Sequence, residues 1–399
     1  MVSLIKEQIK KHRDIYHYLR YKKSQVYHNL SNLAKAEDCV GRVKAILENI
    51  DLNPRPKKEN VPTGSSIEIT NACNLNCLMC NTKLSKRQIG FIDPGIFEKV
   101  IQQLQGIGIQ RICLHTVGET FMYENIKELL GILKKYDFYL WLSSNGQFPK
   151  RIEEACRDFR ETINELRFSI DGAIRGTYEY IRKGASFDKL FDSLNVIHKI
   201  NGGKRDYRII LTIDSILSMT NISEIQLFFK VFGKYCWPEH INFHIVDSLS
   251  PDPAFFNKEF NFPHLVRSKV PCELPFRSIY FTYGGKATLC CRDYNEDLVV
   301  GDIKKSSILE LWNSPRAEKI RQMQSNPGAI DIKACQNCNG PHEFVSTIVN
   351  EYIHYLFFRY PELSPEQFRD KIMFLLNGMN DALGSKDIKA FSKFTLQAF

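Results

Sequence analysis

Ser66-Ile67-Glu68-Ile69-Thr70-Asn71-Ala72-Cys73-Asn74-Leu75-Asn76-Cys77-Leu78-Met79-Cys80 is the stretch from which this chain is best read. Ser66–Thr70 is a short β-branched run with the pattern of a strand. It leads into a loop where three cysteines stand at spacings of four and three residues. Outward from it, strand and helix patterns alternate six times between 65 and 250. Further strands are expected at Arg111–Thr116, Tyr139–Ser143, Glu165–Ile170, Arg208–Ile213 and His240–Val246. Helices are expected at Pro94–Gln105, Asn125–Tyr136, Phe187–Ile200 and Ile222–Tyr235. Regular βα alternation implies right-handed crossovers and a parallel sheet with helices outside. The predicted class is α/β, a partial (βα)6 TIM-like barrel. In such a sheet chemistry belongs to the loops after the strand C-termini, where the cysteine triplet lies.

The rest of the chain bounds the possibilities. It has 399 residues, 43% hydrophobic and 25% charged, which rules out collagenous, low-complexity and mainly disordered classes and suggests two or three units. No apolar run reaches the ~18 residues of a membrane span. The N-terminus scatters charges through its apolar positions, unlike a secretory signal. A soluble, cytoplasmic protein with no membrane partner is expected. Lys and Arg number 54 against 45 Asp and Glu, a formal +9 that falls mostly in residues 1–60. Spread over the whole chain this is weak, so nucleic acid is not the expected partner. The organisation reads as a basic helical segment and Pro-containing linker (1–62), the barrel (63–250), a hairpin-and-helix unit (251–345) and a helical, aromatic-rich end (346–399).

The twelve cysteines are the informative excess. Inside a cell, clustered thiols point to metal or redox chemistry rather than disulfides. Cys73, Cys77 and Cys80 can converge on three irons of a cubane and leave the fourth open to a chelating molecule. A structural zinc with its fourth ligand elsewhere, or unrelated cysteines, are the alternatives. A second set consists of Cys272 and Cys290 around a predicted hairpin (Ser278–Thr282, the turn Tyr283-Gly284-Gly285-Lys286, Ala287–Cys291). A helical stretch, Ile308–Gln324, and the pair Cys335 and Cys338 follow. Four thiolates there could fully ligate zinc or a second cubane.

Cys-x3-Cys-x2-Cys after the first strand of such a barrel resembles the radical S-adenosylmethionine (SAM) superfamily. Val117-Gly118-Glu119-Thr120, after the second strand, is similar to its Gly-Gly-Glu-Pro turn, with Val117 and Thr120 in place of Gly and Pro. Ser143-Ser144-Asn145-Gly146 resembles the ribose-contacting segment. Phe168-Ser169-Ile170-Asp171-Gly172 with Tyr180-Ile181-Arg182 resembles the segment that holds the SAM carboxylate. The resemblance implies S-adenosyl-L-methionine bound by Gly118, Glu119, Ser144, Asn145, Ser169 and Arg182. Turn or capping roles are the plainer reading of Ser144, Asn145 and Ser169. It also implies a [4Fe–4S] cluster on Cys73, Cys77 and Cys80 that delivers one electron to make a 5′-deoxyadenosyl radical.

Residues 272–338 resemble the C-terminal SPASM/twitch extension of these enzymes, through Leu289-Cys290-Cys291-Arg292-Asp293, Gly301-Asp302-Ile303 and Leu311-Trp312-Asn313-Ser314. The implied auxiliary [4Fe–4S] cluster takes Cys272, Cys290, Cys335 and Cys338. No cysteine follows Cys338, so the single-cluster twitch form is expected. Some alcohol-oxidising relatives place an Asp directly after the second ligand. Here Cys291 stands there and Asp293 two further on. Strand alternation would set both on one face opposite Cys290, making Cys291 and Asp293 the catalytic candidates, with Cys291 a hydrogen donor or simply a packed thiol. His115 reads as facing substrate or, more conservatively, as a core histidine.

The expected activity is hydrogen abstraction from a small polar metabolite (sugar, nucleotide-sugar or aminocyclitol), oxidising a secondary alcohol or epimerising a carbon. A phosphorylated carrier would suit a basic pocket, and a flavodoxin- or ferredoxin-type reductant is implied. The alternatives are a peptide-modifying maturase, a tRNA-modifying relative and, in another class, a zinc-stabilised nucleic-acid-binding protein.

Overall fold

The computed structural model describes residues 31–49, 57–205, 208–245, 271–325, 332, 335, 338, 343–385 and 388–399. Helical expectations for 1–30, and the Pro- and Phe-rich stretch 250–263, lie outside the described residues. One nine-stranded sheet runs through the molecule in the order β6-β5-β4-β3-β2-β1-β7-β8-β9. The strands β1 (Gly64–Ile67), β2 (Arg111–Cys113), β3 (Tyr139–Ser144), β4 (Ile163–Ser169), β5 (Ile210–Leu217) and β6 (Ile241–Ile245) are parallel neighbours in chain order. This is the open (βα)6 barrel that the alternation predicts.

Local chemistry explains the crossovers. A helix over 31–49 is α1. In α2 (Pro94–Gly106), Asp93 accepts from the Gly95 and Ile96 amides and Pro94 opens the first turn. Its buried face, Phe97, Val100, Ile101 and Leu104, recurs at helical spacing. The next crossovers use α3 (Ile126–Leu133), α4 (Pro149–Asp158), α5 (Arg175–Ile181) and α6 (Phe187–Ile200), the last capped by Ser186. The expected helix at Ile222–Tyr235 is a 3-10 turn, Ile222–Glu224, running into α7 (Ile225–Phe232). Strands alternate as they must. In β3, Leu140 and Leu142 are wholly buried, while Trp141 and Ser143 line the barrel lumen.

The two edges of the barrel are finished differently. After α8 (Leu274–Arg277), β7 (Ser278–Phe281) pairs with β1 in parallel, Gly64 opposite Ser278 and Ile67 opposite Phe281. The hairpin partner β8 (Lys286–Thr288) and an unforeseen third strand, β9 (Val299–Asp302), continue antiparallel. At the far edge a helix closes β6: Asn350 Oδ1 accepts from Phe243 N (2.8 Å) and Ser346 Oγ from Ile245 N (3.1 Å). These side chains satisfy strand amides that would otherwise stay unpaired.

The stretch predicted as one helix at Ile308–Gln324 is two, α9 (Ile308–Trp312) and α10 (Pro315–Ser325). Ser307 and Glu310 form a capping box on the first, and Pro315 cannot continue it. The end of the chain is helical as expected: α11 (Glu343–Arg359), which carries Ser346 and Asn350, α12 (Pro365–Ser385) and α13 (Ile388–Ala398). Among the described residues no helix is long and apolar enough to cross a membrane.

Candidate functional site

A cavity of about 880 Å³ opens at the C-terminal ends of the barrel strands. Cys73, Cys77 and Cys80 all line it. Their loop is pinned by backbone bonds, Asn76 N to Lys183 O and Leu78 N to Ile181 O (both 2.9 Å), which tie it to the end of α5. Burial pushes the Cys77 thiol up to about 11, with Arg182 opposing. The Leu75 amide donates to the Cys73 sulfur. Among the described residues no three Cys, His, Asp or Glu side chains form a single-ion cage. The thiols frame the cavity wall instead.

Gly118 adopts φ +86°, and a Cβ there would sit 2.5 Å from Thr70 O. Only glycine fits, and the turn it permits sends Glu119 inward, 3% exposed. One oxygen of Glu119 accepts from Ser144 Oγ (2.9 Å) and Phe121 N (3.1 Å), the other from Asn145 N (2.7 Å). Burial still wins over those bonds and pushes the carboxyl up to about 7. Asn145 Nδ2 bonds Asn74 Oδ1 (2.9 Å) within the cysteine loop. The ends of β2 and β3 are thus fastened to that loop through one carboxylate and one amide.

Ser169 and Arg182 line the same cavity. The structure adds a residue the sequence left without a role. Asp171, wholly buried, lies 2.7 Å from Arg182 Nε, and its other oxygen accepts from Ile216 N (2.7 Å). The only signal for Asp171 was its place beside Ser169 in the fourth-strand motif. The guanidinium is therefore held in place on one side and faces the cavity with charge to spare for a second anion.

Deeper in the lumen stand Trp141, His115 and Asp214. Burial pulls His115 down to about 4, so it is a neutral imidazole, and it faces the cavity rather than the core. The Arg167 guanidinium stacks on Trp141 at 4.2 Å. Asp214 Oδ1 meets His244 Nε2 (3.2 Å) and accepts from Asn242 Nδ2 (3.0 Å). None of Trp141, Asp214 or Arg167 carries a motif. Their lumen position follows from strand alternation once the register is fixed.

The four thiols of the second set come together. Cys272 feels Cys335 and Cys338, and Cys290 feels Cys272 and Cys338. Burial pushes the Cys272 thiol up to about 12 and raises that of Cys290. The sulfurs accept from Leu274 N, from Arg292 N (3.3 Å, to Cys290) and from Gln324 Nε2 (3.3 Å, to Cys335). Clustered thiols with N–H donors aimed at several of their sulfurs, and with the Arg182 and Arg292 guanidiniums favouring the thiolates of Cys77 and Cys272, suit iron–sulfur ligation at both sites.

Cys291 and Asp293 part company. The expected alternation fails because β8 ends at Thr288 and residues 291–292 form a turn. Cys291 lines the cavity, hydrogen-bonded to Tyr280. Asp293 is 5% exposed and turned away, accepting from Thr288 Oγ1 (2.9 Å), Asp297 N (2.8 Å) and Leu298 N (2.8 Å). It knits the loop before β9 and is not a cavity residue.

A family model described as the radical SAM superfamily matches residues 67–219, and the SPASM model, described as an iron–sulfur cluster-binding domain, matches 272–339. A curated relative, the S-adenosyl-L-methionine-dependent 2-deoxy-scyllo-inosamine dehydrogenase of Niallia circulans, is 21% identical over 284 residues, 68% of this chain and 91% of that protein. Two solved structures share the fold. anSMEcpe with bound AdoMet has a TM-score of 0.52 at 13% identity, over 83% of this chain and 98% of that one. Streptococcus suis SuiB bound to precursor peptide SuiA has a TM-score of 0.51 at 14% identity, over 79% of this chain and 76% of that one.

Proposed function

Because the chain belongs to the radical SAM superfamily and carries a SPASM iron–sulfur domain, we propose that it oxidises a secondary alcohol of a small polar metabolite, an aminocyclitol or sugar. Cys73, Cys77 and Cys80 hold the open-site cluster, and Cys272, Cys290, Cys335 and Cys338 the auxiliary one. When bound, the first cluster supplies the electron that splits SAM into methionine and a 5′-deoxyadenosyl radical, which takes a hydrogen atom from substrate.

The chain's own residues bind, orient and enclose. Glu119, braced by Ser144 and Asn145, accepts the amino hydrogens of SAM, and Gly118 lets the backbone approach. Arg182, anchored by Asp171, meets the SAM carboxylate. Ser169 joins Arg182 on the SAM carboxylate, and Asn145 faces the ribose. Trp141 offers an apolar plate and Asp214 a carboxylate for a hydroxyl- or amine-bearing ring. Arg277 and Arg292 on the same cavity suit a phosphorylated carrier. A flavodoxin- or ferredoxin-type protein supplies the electron.

The observation that carries this reading is a single cavity with the cysteine triplet on one wall and the segment after Cys290 on another. Hydrogen abstraction and electron removal can then act on one bound molecule. The N. circulans dehydrogenase adds support through the aminocyclitol in its name. The test is anaerobic reconstitution followed by reduction with SAM and 2-deoxy-scyllo-inosamine. The expected products are 5′-deoxyadenosine and a ketone in equal amounts. Intact SAM after reduction would overturn the reading.

Epimerisation is the second reading, favoured by the Cys291 thiol on the cavity beside Tyr280. A thiol that returns a hydrogen atom gives a redox-neutral product, which in D2O carries deuterium at the inverted carbon, and is left as a thiyl radical that one electron from the external reductant and one proton from solvent restore.

A further inference from the structure

Oxidation of an alcohol removes a proton as well as a hydrogen atom and an electron, and the cavity walls limit where that proton can go. Among the described residues two carboxylates line the cavity, Glu119 and Asp214. Glu119 already takes three donors and lies at the turn assigned to the SAM amino group. The end of the hairpin offers none, since Cys291 is a thiol and Asp293 is spent on its own loop. Asp214 is left.

Sheet register places this side chain. Asp214 stands opposite Ser169 on β4 and opposite Asn242 on β6. It is thus one strand, about 4.8 Å, from a residue assigned to the SAM carboxylate. Its two oxygens differ. Oδ1 accepts from Asn242 Nδ2 (3.0 Å) and meets His244 Nε2 (3.2 Å). Oδ2 has no hydrogen bond among the described residues: Arg167 Nη1 is 4.0 Å away, too far for one. Arg167 Nε is itself committed to Glu165 (2.6 Å), and the guanidinium lies on Trp141 at 4.2 Å. Burial pushes the Asp214 carboxyl up, but His244, Arg167 and Asn242 outweigh it and hold the group below its usual range. It is a carboxylate before substrate arrives.

We propose that Asp214 is the proton acceptor of alcohol oxidation, with Oδ2 the receiving atom and Asn242 and His244 holding the carboxylate through Oδ1. The inference rests on the functional reading above. The carbon loses its hydrogen atom to the 5′-deoxyadenosyl radical, and the hydroxyl loses its proton to Asp214. The remaining electron passes to the auxiliary [4Fe–4S] cluster, which is reduced by one. One C–H and one O–H bond break, and the C–O bond becomes a carbonyl. A weakly basic carboxylate is enough for this. Withdrawal of the electron turns the hydroxyl into that of a protonated ketone, a far stronger acid than a carboxylic acid. Protonating Asp214 also removes a buried charge, whereas a proton on His115 would create one where burial already opposes it.

The experiment uses the reconstituted full chain, SAM and the same aminocyclitol carrying deuterium on the carbon that is oxidised. Equilibrium binding of SAM and of substrate is measured without reductant, beside iron content. Asp214→Asn is expected to match wild type in both affinities and in iron. Under reduction it should still move deuterium from substrate into 5′-deoxyadenosine. Ketone formation should fall about a hundredfold, the scale of a lost general base. The substrate radical then takes an electron from the reductant and a proton from solvent, so the recovered alcohol has lost its deuterium. Asp214→Ala is the second variant, assayed with and without formate. Formate should restore its ketone formation about tenfold and leave wild type unchanged.

Wild-type ketone formation in Asp214→Asn overturns the proposal, as does Asp214→Ala that binds SAM normally and gains nothing from formate. Weakened SAM affinity with an unchanged ratio of ketone to 5′-deoxyadenosine would assign Asp214 to the cofactor. Weakened substrate affinity with that ratio unchanged would assign it to the substrate's amine. Either result overturns the proposal. Wild type that yields no ketone would instead overturn the functional reading itself, and this assignment with it.

Discussion

The two cysteine sites meet at one cavity yet are built on different principles. Around Cys73, Cys77 and Cys80 the protein assembles charge, with Glu119, Asp171 and Arg182 all buried within the same strand-end layer. Around Cys272, Cys290, Cys335 and Cys338 the sulfurs take neutral donors, the Leu274 and Arg292 amides and the Gln324 carboxamide, with the Arg292 guanidinium as the charge acting on Cys272. Buried charges are costly unless something charged arrives to meet them. The first site therefore suits the incoming zwitterion proposed for it, and the second suits the proposed cluster whose four ligands are the thiols themselves.

Removing one thiol from each site should break that contrast most sharply. Cys77→Ala is expected to abolish SAM cleavage altogether and to halve the iron content. Cys272→Ala should halve the iron as well, yet leave SAM cleavage in place while alcohol oxidation disappears. Iron analysis beside 5′-deoxyadenosine and ketone counts distinguishes the two. Equal loss of cleavage in both variants would mean that the second site supports the first structurally rather than serving substrate.

Asp171→Asn comes next. It leaves the buried Arg182 guanidinium without its anchor, a loss of about 3–5 kcal/mol for a broken buried pair. Chemical denaturation should show that loss, and SAM should bind more weakly because Arg182 is no longer held towards the cavity. Normal SAM affinity in a destabilised Asp171→Asn protein would show that the pair serves only the fold.

Much of this was legible beforehand because it is local. Phe187–Ile200 is a helix from its own period and its Ser186 cap, and the cysteine loop follows a strand that its β-branched run announces. What could not be read depends on distant partners. Asp171 acquires its role only when α5 returns Arg182 to it. Asn350 and Ser346 look like ordinary helix residues until they meet the open edge of β6. Strand alternation continued past Thr288 would place Asp293 beside Cys291 at the cavity. The turn at 291–292 ends that alternation and spends the carboxylate on three loop donors.

Asp293 and Cys291 therefore offer a comparison within the second site. Asp293→Asn should cost about 1–3 kcal/mol through lost hydrogen bonds, measured by denaturation, with alcohol oxidation retained in the folded fraction. Cys291→Ala should leave stability within about 1 kcal/mol, since a half-buried thiol makes few contacts. Epimerisation predicts that Cys291→Ala forms 5′-deoxyadenosine but no inverted product; oxidation predicts that the ketone still appears.

The smallest effect expected is a pH dependence confined to the first site. Burial pushes Glu119 up to about 7, so near neutrality the ligand-free protein is divided between the acid and its carboxylate. The amino group of SAM, whether an ammonium or a coordinated amine, has hydrogens to give and no lone pair to receive one. Only the ionised form of Glu119 can accept from it without first losing a proton. SAM affinity should therefore rise as pH rises through about 7 and level off above, falling below it by no more than about tenfold per pH unit. Ser144→Ala removes a bond that favours the carboxylate and should move the midpoint upward; Glu119→Gln should weaken binding and flatten the profile. Equilibrium binding of SAM across this range, with iron content held constant, is the measurement. A flat wild-type profile would mean that Glu119 is ionised throughout and that its three donors outweigh its burial.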